Sequence, residues 1–87
     1  MSDYSEVAAA QLDELESTAE DDFWDAIMDA CDLALNYPVE AQKRSTAVVT
    51  TSGSVVFRLP VVGFPPYKVF WSHVGGTPRV EAVFPHS

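Results

Sequence analysis

Asn36-Tyr37-Pro38 and the later run Thr46-Ala47-Val48-Val49-Thr50-Thr51 divide this chain into two hydrophobic periodicities. Upstream, apolar residues recur at helical spacing. Ala8, Leu12 and Leu15 form one stripe; Phe23, Ile27, Cys31 and Ala34 form another, with Trp24, Met28 and Leu35 beside them. Ser5 is placed to cap a first helix over about residues 6–16, with Glu6 in its first turn. Thr18, followed by Glu20, Asp21 and Asp22, reads as the start of a second helix. That helix stops at Asn36-Tyr37-Pro38, because the residue before a proline resists the α region. Downstream the period is two. Thr46–Thr51 and Val55–Leu59 read as strands joined at Ser52-Gly53. Val61–Pro66 is a loop, Tyr67–Ser72 a strand, His73–Pro78 a turn around Gly75-Gly76, and Arg79–Phe84 a closing strand. The expected fold is one α+β domain over residues 1–87. Two antiparallel N-terminal helices (a helical hairpin over 5–37) pack on one face of a three- to four-stranded antiparallel sheet (46–84).

The charge is divided at the same place. The chain of 87 residues has a formal net charge of −8. Residues 1–40 carry acids and no Lys or Arg, whereas residues 41–87 carry Lys43, Arg44, Arg58, Lys68 and Arg79 against Glu81 alone. A balance of −8 argues against non-specific nucleic-acid binding, which depends on Lys and Arg. Asp22, Asp25, Asp29 and Asp32 share one face of the second helix. They suit a basic protein partner, although an acidic face also keeps a small domain in solution. No apolar run approaches the roughly 18 residues needed to span a bilayer, so no membrane association is expected. Met1-Ser2-Asp3 lacks a basic leader segment, and the lone Cys31 fits a reducing compartment, so a cytoplasmic location is expected.

Strand alternation gathers the cations. Val55, Phe57 and Leu59, then Tyr67, Val69 and Trp71, then Val80, Ala82 and Phe84 form one set, expected to face the helices. The other set contains Arg58, Lys68, Phe70, Arg79 and Glu81, with His86 just beyond the last strand. Cations beside an aromatic ring and a histidine suit an anionic ligand that carries a stackable base. Lys and Arg on an open sheet face also serve solubility alone. His73, His86 and Cys31 have no metal-ligand spacing, no glycine-rich phosphate loop is present, and no cofactor is expected. Trp24, Trp71 and Cys31 fit core positions.

The strand Phe57-Arg58-Leu59, the strand Tyr67-Lys68-Val69-Phe70-Trp71, and the closing Val80–Phe84 with His86 follow two helices. This order resembles the RelE/ParE superfamily of toxins from bacterial toxin–antitoxin systems. The segment Ser5–Leu15 is similar to that family's first helix. The resemblance implies a toxin that a cognate antitoxin binds. In the RelE-like branch it acts as a ribosome-dependent mRNA endoribonuclease; in the ParE-like branch it binds a protein target such as gyrase. It also implies that Arg58 and Lys68 contact phosphate, that Arg79 adds a further cation, and that His86 takes part in proton transfer. Tyr67, Phe70, Lys43 and Arg44 are the accompanying candidates for substrate contact. An alternative is a ParE-like or catalytically inactive acidic module that binds a protein through Asp22, Asp25, Asp29 and Asp32. The chain departs from the family at three points. It is acidic where RelE-type toxins are basic, Met1–Tyr4 leaves little room for a first strand, and Lys68 stands where an arginine is frequent.

Overall fold

The computed structural model describes residues 3–86. Three helices, α1 (Glu6–Thr18), α2 (Asp21–Asn36) and α3 (Pro38–Arg44), precede four strands, β1 (Thr46–Val49), β2 (Val55–Pro60), β3 (Tyr67–Val74) and β4 (Thr77–Pro85). The strands form one antiparallel sheet in the order β1-β2-β3-β4. The α+β class and the packing of N-terminal helices on a sheet agree with the sequence reading.

The helices form where their apolar stripes find the sheet. Ala8 and Leu12 of α1, Ile27, Ala30, Cys31 and Ala34 of α2, and Ala41 of α3 are buried. They share one core with Leu59, Val61, Val69, Trp71, Val80 and Val83. Ser5 caps α1 as expected: its Oγ accepts the Ala8 N–H at 3.0 Å and donates to the Glu81 carbonyl at 2.5 Å. One hydroxyl therefore joins the start of the first helix to the last strand.

The helix boundaries differ from the sequence pattern at two points, and the N-terminal segment keeps to it. Thr18 does not start α2; it ends α1, and its hydroxyl donates back to the Glu14 carbonyl, while Glu20 caps α2 without a side-chain bond. Pro38 ends α2 but also opens α3, because proline at the first helical position has no needed N–H to lose. Tyr4, close to where a first strand had little room, makes an isolated parallel bridge with Val80. The preceding Met1 and Ser2 lie outside the described residues.

The sheet faces also depart from strict alternation on β4. Trp71 pairs with Val80 and Val69 pairs with Val83, with a register shift between Phe70 and Trp71. Glu81 is the additional residue of a β-bulge, so inward positions on β4 are separated by three residues instead of two. Val83 is buried, whereas Ala82 and Phe84, expected inside, share the open face with their partners Phe70 and Lys68. The turn from β3 to β4 matches its glycines. Val74 pairs with Thr77 across Gly75-Gly76, whose φ values of 60° and 81° suit a two-residue hairpin loop.

Candidate functional site: the open face of the sheet

The face of the sheet opposite the helices is built by register. Arg58 of β2 lies opposite Phe70 of β3, and Lys68 of β3 lies opposite Phe84 of β4. The bulge at Glu81 brings Phe84 into this row. The Phe70 and Phe84 rings stack with centroids 4.5 Å apart and planes 9° from parallel. His86 closes the group, edge-on to Phe70 at 5.5 Å and to Phe84 at 6.1 Å. Its backbone N–H donates to the Pro66 carbonyl at 2.9 Å, which fixes the tail beside the loop before β3.

The polar groups are arranged around those rings. Arg58 Nη1 lies 3.0 Å from His86 Nδ1. Guanidinium only donates, so the imidazole nitrogen accepts and its remaining N–H sits on Nε2. Lys68 Nζ donates to the Pro66 carbonyl at 3.1 Å. That bond uses one of three ammonium donors. Two cations and an imidazole thus surround a paired aromatic surface within reach of one another.

Arg79 stands apart from this group. It pairs with Ser72, one pleat repeat or about 7 Å further along β3 than Phe70. Its Nε lies 4.0 Å from Glu81 Oε1, and Ser72 Oγ donates to Glu81 Oε2 at 2.6 Å. The charge of Arg79 is therefore offset locally. Tyr67 points to the helical side and packs edge-on against Phe23 at 4.8 Å. Lys43 and Arg44 lie on α3, with Arg44 Nε 3.9 Å from Glu40. The sheet face therefore brings together Arg58, Lys68, Phe70 and His86 of the expected residues, and not Arg79, Tyr67, Lys43 or Arg44.

Phe84 is the residue that alternation missed. Strict period two assigned it to the core, and the bulge reversed it. The sequence held no signal for it, because Val80, Ala82 and Phe84 alternate regularly and the bulge arises from pairing with β3.

The acids occupy the other layer. Asp22, Asp25, Asp29 and Asp32 are all exposed on α2. Asp29 and Asp32 border a cleft of about 580 Å³ with Tyr37 and Arg44, over a floor that includes Ala30, Leu33, Leu59 and Pro60. The sheet thus separates the acidic surface from the Arg58–Lys68 group. Among the described residues no helix is long and apolar enough to cross a membrane. Among them too, no group of three or more His, Cys, Asp or Glu side chains is placed to hold a metal ion. Compared with protein-family models, curated proteins and solved structures, the chain matches none.

Proposed function

We propose that the open sheet face binds RNA and that the protein is a RelE-like toxin, a ribosome-dependent mRNA endoribonuclease whose cognate antitoxin restrains it. The observation that carries this reading is the Arg58–His86 contact at 3.0 Å beside the Phe70–Phe84 stack. In such a cleavage the ribose 2′-oxygen forms a bond to the adjacent phosphorus while the bond to the 5′-oxygen breaks. The 2′-hydroxyl loses a proton and the 5′-oxygen gains one. Arg58 and Lys68 offset the charge that builds on the phosphate oxygens. His86, whose Nδ1 accepts from Arg58, offers its Nε2–H as a hydrogen bond to a phosphate oxygen, while water takes the 2′-proton and supplies the proton that the 5′-oxygen gains. Phe70 and Phe84 supply a surface for a base. A net charge of −8 disfavours binding to free RNA, and the reading is supported by Arg58 and Lys68 standing on the sheet face away from the acids of α2.

The test is induced expression with primer extension on cellular mRNA. Wild-type protein arrests growth and produces discrete cuts in translated messages, and Arg58→Ala relieves both. Equal, harmless growth of the two forms with intact messages sinks the reading.

A second reading has its own observation, the exposed acids of α2 beside the apolar cleft. There the protein binds a basic target, in the manner of a ParE-like or catalytically inactive module. Asp25→Lys together with Asp29→Lys then weakens the complex, and the wild-type affinity falls with added salt. A target bound equally well by both forms counts against it.

A further inference from the structure

We propose that two copies of this chain associate through β1, pairing antiparallel about a twofold axis at Val48 into one continuous eight-stranded sheet. The inference stands independently of the RNA reading.

The two edges of the sheet are treated differently. The β4 edge is covered: Val80 N–H donates to the Asp3 carbonyl, Ser5 N–H donates to the Val80 carbonyl, and Val83 N–H donates to Gln11 Oε1. The β1 edge pairs only with β2 among the described residues. Thr50 N–H donates to the Ser54 carbonyl at 2.9 Å, so Thr50 faces β2. By the alternation of an antiparallel ladder, the N–H and C=O groups of Ala47 and Val49 point away from β2. An edge of this kind is a template for another strand.

The side chains fit a second copy. From Ser45 to Phe57 the sequence contains no charged residue and no proline, the usual guards of an edge strand. In a chain of net charge −8, this uncharged hairpin is a surface on which two copies can meet without repulsion. Val49 is 69% exposed and its cross-strand partner Val55 is 46% exposed, so apolar surface at this end lies uncovered by the helices. The helix packed on β2 is α3, which carries Lys43 and Arg44, whereas α2 with its acids packs on β3 and β4.

Register follows from the same facts. Residues directly opposite in an antiparallel pair share a face, and the outward-pointing residues form the bonded pairs. Centring on Val48 places Ala47 of one copy opposite Val49 of the other, twice. A centre on Ala47 would require Ser45, whose N–H is already given to the Gln42 carbonyl. Among the described residues each chain has one open edge, so the assembly closes at two and does not grow into a filament.

The experiment is sedimentation of the full chain at rising concentration, with amide exchange on the same samples. The expected result is a monomer–dimer equilibrium that stops at the dimer, with the Ala47 and Val49 amides gaining protection as the dimer forms. Val48→Lys and Val48→Glu each raise the dissociation constant more than about tenfold by placing like charges on the axis, and an equimolar mixture of the two restores the dimer. Circular dichroism checks that the variants fold, and the exchange measurement on wild type does not depend on them. A wild-type monomer with freely exchanging Ala47 and Val49 amides overturns the proposal and leaves the edge to a strand of another protein. A dimer that ignores both substitutions overturns it as well.

Discussion

Arg58 Nη1 donates to His86 Nδ1 across 3.0 Å, joining β2 to the segment after β4 over Phe70. The two residues are far apart in sequence and meet because β3 lies between their strands in the sheet. The contact fixes which imidazole nitrogen keeps its proton in the neutral ring.

That tautomer is measurable. Two-bond proton–nitrogen spectra of the neutral imidazole should show His86 with its hydrogen on Nε2. In Arg58→Ala the ring loses its donor, and the two tautomers should mix. An unchanged pattern in the variant would mean that the guanidinium does not set the ring.

The stacked pair should carry base recognition. Phe70 is half-buried on the open face, so Phe70→Ala should leave the fold intact. Affinity for a short single-stranded RNA should fall by about 1–3 kcal/mol, the usual loss for one stacked base. Fluorescence anisotropy checks it, and equal affinity of wild type and variant would remove the aromatic pair from the site.

Ser5 should matter more than its size suggests. It caps α1 through Ala8 N–H and bonds the Glu81 carbonyl at the bulge. Ser5→Ala should lower unfolding stability by about 1–2 kcal/mol, toward the upper part of the range for a lost cap. Urea denaturation measures this. A change of only a few tenths would show that water replaces the hydroxyl.

Cys31 should report the core. Burial pushes its thiol up to about 12 from an ordinary 9.0. The folded state therefore holds the proton more tightly than the unfolded chain. This contribution is fully present below about pH 9 and is lost as pH rises toward about 12. Burial also raises the Tyr4 hydroxyl, in the same direction. The native thiol should resist disulfide reagents at about pH 8 and react once urea unfolds the chain. Cys31→Ala should flatten part of the alkaline decline; an identical decline would assign it elsewhere.

Much of this architecture is present in local pattern. The stripes Ala8-Leu12 and Ile27-Cys31-Ala34 required helices that bury one side, and β-branched runs punctuated by glycine and proline required strands. The division of charge between residues 1–40 and 41–87 already placed acids and cations on different elements. Arg58, Lys68 and Phe70 could be set on one face by alternation, because side-chain direction in a regular strand depends on parity alone.

Where parity fails, position in the chain no longer implies position on a face. The bulge at Glu81 arises from pairing with β3, an interaction between residues distant in sequence, and it exchanged Val83 for Phe84. The Arg58–His86 contact and the cover over the β4 edge have the same origin. Each depends on which strands become neighbours and on where Asp3, Ser5, Gln11 and His86 are held. Composition and period decided that helices, strands and two charged halves exist; long-range pairing decided which side chains meet.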